Sequence, residues 1–308
     1  MSAVSRGAAL LRLCRPFREG AVRLRRGTAL RSACVLVLKA AARACPVPLA
    51  MLLAEIRPLD AADVSFEPVD SQVMDAVFWF GVQGYEGRVA DVWTTLCRGA
   101  RSVLEIGGNV GLFTVLGGRV TAGKYTVLEP VPGVAAILAA NLRRNHLEGR
   151  VTLLRAAAVP ASTAGTVALN VPDEQRAAPV GAHLMDQGEV SGRGTQQILT
   201  VPGLPFRDLV AGCDVIKIDA EGIEADLLES ARDLILERRP ALLIEVLPES
   251  RRLGQLLSEL AREGRYTLSV VPEYGSDRIV VVAPNTFSSD LPARYNSKDI
   301  LLSRQPIE

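Results

Sequence analysis

From about residue 100 onward, short apolar runs alternate with stretches of helical periodicity. Residues 102–106, 125–128, 151–154, 214–219 and 241–246 each read as a short strand bounded by turn-forming or charged residues. Between them, 110–118, 132–146, 223–236 and 251–263 repeat apolar side chains at the spacing of a half-buried helix. Pro132 opens the second of these helices, where a missing backbone N–H costs nothing. Residues 267–271 and 278–282 read as closing strands. Strands alternating with helices build a parallel sheet covered on both sides. The runs Val103-Leu104-Glu105-Ile106 and Val215-Ile216-Lys217-Ile218 are apolar at nearly every position, as strands buried on both faces are. The expected fold is α/β: a doubly wound, mostly parallel seven-stranded sheet with helices on both faces.

Two regions depart from this rhythm. Residues 161–171 suit a short hairpin, and 172–197 are rich in Gly, Pro, Gln and Asp. So long a loop inside a compact domain is usually functional or disordered, so 160–200 reads as a lid or substrate-facing insertion, with simple disorder as the alternative. Phe78, Trp79, Phe80 and Trp93 cluster ahead of the first strand and are expected to pack a helix onto the sheet. The division expected is a basic, partly helical extension over 1–65, the main domain over 66–285, and a C-terminal tail over 286–308.

Charge separates the first of these parts from the rest. The 308 residues have a formal charge of +1, which offers no reason to expect a nucleic-acid partner. Residues 1–57, however, hold ten arginines and Lys39 against Glu19 and Glu55, a net +9, leaving −8 for the remainder. The best apolar stretch in this leader, 33–38, is interrupted by Lys39 and Arg43. A spanning helix needs about 20 mostly apolar residues, so no transmembrane segment is expected. The leader reads as an amphipathic helix in weak contact with an anionic membrane surface, as a solvated basic tail, or as sequence ahead of a start at Met51. Cys14, Cys34, Cys45, Cys97 and Cys213 are scattered and show no metal-ligand spacing. Reduced thiols and a cytoplasmic location are expected, without a disulfide framework or structural zinc.

The candidate chemistry begins at Val103-Leu104-Glu105-Ile106-Gly107-Gly108-Asn109-Val110-Gly111, a strand, a tight glycine turn and the start of a helix. Doubly wound sheets bind ligands at such turns, beyond the carboxyl ends of their strands. Glycine allows close approach, and the new helix offers free amides. A dinucleotide loop would read Gly-x-Gly-x-x-Gly. Gly107, Gly108 and Gly111 lack that spacing, and Glu105 stands two residues ahead, where it would repel a pyrophosphate but suit a cation. S-adenosyl-L-methionine, with an ammonium and a sulfonium, therefore fits better than NAD. Glu129 ends the next strand, where an acid grips ribose hydroxyls in such folds.

A second constellation is Val215-Ile216-Lys217-Ile218-Asp219-Ala220-Glu221-Gly222-Ile223-Glu224. Lys217 and Asp219 share a face of a strand. A lysine in an apolar strand needs a carboxylate partner, which Asp219 or Glu221 can supply. The open readings are a general base, a substrate-orienting network, an oxygen-ligand metal site, or a structural ion pair, with Glu224 favouring the helix N-terminus. A divalent metal is compatible with these carboxylates, but none is expected. His146 suits a helix C-terminus, and His183, in the long loop, is a candidate base that as a lone loop residue more commonly faces solvent.

These blocks, with Leu128-Glu129-Pro130, Asn141-Leu142, Pro240 and Ile244-Glu245, resemble the FkbM family of S-adenosyl-L-methionine-dependent methyltransferases over roughly residues 80–250. Gly108 stands where that family commonly has Ala, and Ala220 where a larger apolar residue is usual. The resemblance implies a class I methyltransferase fold. Glu105, Gly107, Gly108, Asn109 and Gly111 would line the methionine part of the cofactor, and Glu129 with Pro130 the ribose. Tyr85 and Glu86 would close over it, and Lys217, Asp219 and Glu221 would lie at the methyl-transfer end, with Asp219 as base or support for one. The implied activity is O-methylation of a hydroxyl on a sugar or other small-molecule or glycan acceptor. The alternative is a catalytically silent cofactor-binding or scaffolding protein of the same fold.

Overall fold

The structure, a computed structural model, describes residues 2–24, 28–160, 165–172, 178, 183–184, 196–247, 250–273 and 278–307. In chain order the helices are α1 (Ala3–Arg23), α2 (Ala29–Ala44), α3 (Gln72–Phe80), α4 (Gly87–Arg98), α5 (Leu112–Val120), α6 (Pro132–Arg144), α7 (Phe206–Val210), α8 (Glu224–Ser230), α9 (Arg232–Arg238) and α10 (Arg251–Glu263). The strands are β1 (Ser102–Ile106), β2 (Lys124–Leu128), β3 (Val151–Leu154), β4 (Ala157–Val159), β5 (Gly165–Pro172), β6 (His183–Leu184), β7 (Gln196–Pro205), β8 (Val215–Ile218), β9 (Ala241–Glu245), β10 (Thr267–Val271), β11 (Val280–Val282) and β12 (Asp299–Ser303). Side chains cap three of the early helices in the ordinary way: Ser2, Thr28 and Ser71 each accept a hydrogen bond from an amide three residues on.

The main sheet has eight strands in the order β11-β10-β12-β9-β8-β1-β2-β3. β1, β2, β3, β8 and β9 pair in parallel, and β12 runs antiparallel between β9 and β10. The doubly wound, mostly parallel architecture is as the periodicity implies. The strand count is eight instead of seven, because residues 299–303 supply an interior strand. Ile300, Leu301 and Leu302 form an apolar run too short to stand out beside the polar residues around it, yet all three are fully buried.

Successive residues on the inner strands face two different cores. Val103, Val215, Leu243 and Leu301 join the cluster containing α3, α4 and α5. Leu104, Ile216, Leu242, Ile300 and Leu302 join the one containing α7 to α10. A separate four-stranded sheet, β4-β7-β5-β6, pairs 165–172 with 196–203 in antiparallel register, so the hairpin arms lie further apart in sequence than 161–171. Most of 173–195, where a lid was expected, lies outside the described residues, as does the side chain of His183. The single helix expected over 223–236 divides at Ala231, whose backbone (φ −123°, ψ 17°) leaves the helical region.

α1 and α2 pack as a helical hairpin. Gly7 lies against Leu52 and Gly20 against Cys34, so the two helices run in opposite directions. Cys14, Ala21, Cys34, Leu38 and Ala41 are buried in the first core. Arg18 donates to the Phe78 carbonyl oxygen (2.8 Å) and its guanidinium lies 3.7 Å from the Phe78 ring centre, joining α1 to α3. Trp93 donates to the Phe113 carbonyl oxygen (3.0 Å) and meets Tyr125 edge-on, so it serves packing. No helix among the described residues is long and apolar enough to cross a membrane, and all five cysteines are free.

The interior position of β12 gives a direct test. Leu301→Ala should lower unfolding free energy by about 2–5 kcal/mol in denaturant titrations, whereas exposed Pro306→Ala should change it by less than about 0.5 kcal/mol. Equal, small effects would mean that 299–303 does not hold the sheet centre.

Candidate active site

β1 and β8 are neighbours at the point where the strand order turns, with β2 and β3 on one side and β9 on the other. Ligands of open α/β sheets bind beyond the carboxyl ends of strands at such a point. A cleft with about 1070 Å³ of free space, its open mouth included, lies there. Gly107 to Val110 form one wall, Glu129 to Val131 the next, and Ala156 to Ala158 with Leu169 an apolar side. Tyr85, Glu86, Lys217, Asp219, Glu221, Glu245 and Lys298 complete it.

The glycine loop is shaped by close approach. Gly107 has φ +83°, and a Cβ on it would press into the Asp219 carbonyl oxygen, so only glycine lets the β1 loop pass the end of β8. The Gly107 and Gly108 amides both donate to the Leu128 carbonyl oxygen (3.1 and 2.9 Å). The two oxygens of Glu129 accept from the amides of Asn109 (2.8 Å) and Val131 (2.9 Å), so this carboxylate ties two loops together at the cleft edge. Burial pushes its carboxyl up to about 7 against the pull of those donors.

Glu105 and Gly111 differ from the other predicted residues in not lining the cleft: Gly111 caps α5 against Leu138, and Glu105, 1% exposed, accepts a hydrogen bond from the Tyr125 hydroxyl (2.6 Å) on the same sheet face as Lys217. Burial pushes Glu105 up to about 7, with Tyr125 and Lys217 acting the other way.

Lys217 stands opposite Glu105 in the register, 3% exposed. Its Nζ bonds Asp219 Oδ2 at 2.8 Å and lies 4.8 Å from the Phe113 ring centre. Burial alone would depress this ammonium, but the carboxylates of Asp219, Glu86 and Asp299 hold it above its ordinary value. Asp219 is a quarter exposed. Burial pushes Asp219 upward, and Lys217 more than reverses this, keeping the carboxyl below its usual range. Glu86, at φ +47° just before α4, is pushed up to about 7 by burial, Lys217 opposing. Glu221 lies in the following turn at φ +53°. That turn is held from below by Glu224, whose carboxylate accepts from the amides of Ala220 (3.0 Å) and Gly222 (3.0 and 3.1 Å).

Two participants went unassigned in the sequence. Glu245 ends β9 as Asp219 follows β8, and it is ion-paired to Lys298 from the segment before β12. Burial beside Asp219 pushes Glu245 up to about 8. The signal for Glu245 was a carboxylate closing an apolar strand, a pattern already present at Glu129 and Asp219. For Lys298 it was the scarcity of lysine, of which the chain has four. Asp219, Glu221 and Glu245 each offer an oxygen within 4.8 Å of the others, a spacing open to a cation. One oxygen of Asp219 and one of Glu245 are engaged by lysines.

A model of the methyltransferase FkbM domain matches residues 105–268, more than half of the chain, and spans the glycine loop, Glu129 and the Lys217–Asp219 strand. The chain belongs to the FkbM methyltransferase family. A search of curated proteins finds no match. Among solved structures, this FkbM chain is similar to methyltransferase FkbM from Methylobacillus flagellatus KT (18% identity, TM-score 0.42, 75% of this chain and 54% of that one). It thus spans about half the length of that protein. It is also similar to the O-methyltransferase from Bacillus cereus in complex with SAH (16%, TM-score 0.38, 70% and 79%) and to an SAH-bound Podospora anserina methyltransferase (11%, TM-score 0.39, 77% and 83%).

The glycine geometry separates two neighbours. Gly107→Ala should destabilise the FkbM chain by about 2–5 kcal/mol in thermal or denaturant unfolding, since its Cβ meets backbone at a left-handed position. Gly108→Ala should cost only about 1–3 kcal/mol, because its Cβ meets the side-chain ends of Val127 and Leu138 (2.5 and 2.6 Å), which can shift. The reverse order would contradict the loop packing.

The raised carboxyls also set a pH dependence. Glu86, Glu105 and Glu129 bind protons up to about 7 and Glu245 up to about 8 when folded, against an ordinary value of 4.5. The folded chain therefore holds more protons than the unfolded one across that window, and these groups' share of stability falls as pH rises from about 5 to 8. Denaturation midpoints should drop over this interval, and Glu105→Gln should shallow the slope. An unchanged slope in that variant would show that Glu105 is ionised throughout.

Proposed function

We propose that this chain is an S-adenosyl-L-methionine-dependent methyltransferase that O-methylates a hydroxyl of a sugar or other natural-product small molecule. The observation behind this reading is the Lys217–Asp219 pair, buried at its lysine end and open to the cleft at its carboxylate end, beside the glycine loop. The donor set fits the cofactor. Glu86, Glu129, Asp219, Glu221 and Glu245 outnumber Lys217 and Lys298 around the cleft, an acidic wall suited to an ammonium and a sulfonium and hostile to a pyrophosphate.

Gly107, Gly108 and Asn109 would hold the methionine part with close-approaching backbone, Gly111 would shape the turn into α5, and Glu105 would brace the end of β1 through Tyr125. Glu129 and Pro130 would take the ribose, and Tyr85 and Glu86 would cover it. When bound, the cofactor supplies a methyl group already activated by its sulfonium. What remains for the protein is alignment and proton removal. Asp219 would accept the proton of the acceptor hydroxyl as its oxygen takes the methyl group and the carbon–sulfur bond breaks to leave SAH, Lys217 would keep that carboxylate ionised and aimed into the cleft, and Glu221 would orient the acceptor. Ala156, Ala157, Ala158 and Leu169 keep water away from the apolar side.

Asp219→Asn tests the assignment. SAH should bind the variant within about threefold of wild type by calorimetry, while kcat toward a hydroxyl acceptor falls about 10²–10⁴-fold. Absence of SAH binding to the wild-type chain would overturn the cofactor reading, binding without turnover on any hydroxyl acceptor would favour a silent scaffold, and an Asn variant with wild-type kcat would remove Asp219 as the base.

A further inference from the structure

We infer that the α1–α2 hairpin is a docking surface for an anionic lipid bilayer. Of ten large hydrophobic side chains left exposed among the described residues, seven lie in the first 51: Val4, Leu13, Phe17, Leu30, Leu36, Val37 and Met51. Leu13, Leu30 and Leu36 are 71%, 63% and 70% exposed. Apolar side chains so open, and so concentrated in one element, mark an interaction surface.

Helical geometry sorts those on α2 onto one face. At 100° per residue, Ala29, Leu30, Ala33, Leu36, Val37, Ala40 and Ala44 fall within one arc, all exposed, with no polar side chain between them. The adjoining face on the Leu30 side, through Ala41, Cys34 and Leu38, is the buried one that packs the hairpin, and exposed Lys39 and Arg43 border the arc on its other side. On α1, Leu13 and Phe17 stand one turn apart, and Arg6, Arg12, Arg15 and Arg23 are exposed on the same helix. Glu19 is the one acid before Glu55, and it already pairs with Arg15.

The charge selects the occupant. An apolar helix face edged by arginine and lysine suits a surface with hydrocarbon beneath anionic headgroups. A second copy of this chain would bring the same net +9 against its own, and the phosphate backbone of a nucleic acid would leave the apolar arc in water. The inference is independent of the methyl-transfer reading.

Vesicle co-sedimentation of the full chain tests it. At about 0.1 M salt the protein should pellet with phosphatidylcholine vesicles containing about 30% phosphatidylglycerol and stay in solution with pure phosphatidylcholine, and raising salt to about 0.5 M should release it. The variant carrying Leu30→Ser, Leu36→Ser and Val37→Ser should bind at least about tenfold more weakly with its melting curve unchanged, since all three side chains are exposed. Absence of binding to anionic vesicles would overturn the inference. So would a triple variant that binds like wild type, which would leave charge without the apolar face. A dimer in solution that the triple variant dissolves would assign the face to a second copy instead.

Discussion

Lys217 is the constraint around which the site is assembled. An ammonium on an interior strand, 3% exposed, is tolerable only if carboxylates surround it. They come from distant parts of the chain: Asp219 two residues on, Glu86 ahead of α4, and Asp299 at the first residue of β12. Strand parity puts Lys217, Glu245 and Asp299 on the same face of adjoining strands, the face that also presents Glu105. One buried cation thus draws the segment before the sheet and the segment after it to the same end of β8. The acids outnumber the lysines, so several of the carboxyls hold protons near neutral pH.

Several of the conspicuous acids bind protein before they bind anything else. Glu129 joins the loops after β1 and β2, Glu224 holds the turn after β8, and Glu105 is satisfied by Tyr125. Gly107 then lets the β1 loop lie against the Asp219 carbonyl, so the glycine loop and the segment carrying Asp219 are one packed unit. Carboxylates that brace backbone amides cost less to bury than free ones, which is how so acidic a cleft holds its shape.

Local signals made much of this legible in the sequence. β1, β2, β8 and β9 showed as apolar runs because both of their faces are buried, and the glycine loop and Lys217–Asp219 pair showed because glycine spacing and an isolated lysine are local features. What was not legible depends on partners far along the chain. β12 is recognisable as a strand only once β9 and β10 leave a gap between them, and the Glu245–Lys298 pair joins positions 53 residues apart. The break at Ala231 leaves no mark in apolar periodicity, which runs on through it. Glu105 was placed by type and spacing, but spacing cannot tell that Tyr125, from the neighbouring strand, covers it beneath the cleft floor. In the leader, composition reported the charge while packing turned on small buried residues, Cys14, Ala21 and Ala41, that carry no pattern of their own.

The hairpin and the cleft are nonetheless mechanically adjacent. α3 has nine residues, and Phe78 on it receives Arg18 of α1, while Val73, its second residue, lines the cleft. α3, capped by Ser71, packs against both helices of the hairpin and so joins the hairpin to the cleft wall. A basic surface element and an acidic cleft coexist in a chain of net charge +1 because part of each charge set is met locally: Arg15 pairs with Glu19 in the hairpin, and Lys217 and Lys298 pair with Asp219 and Glu245 at the cleft.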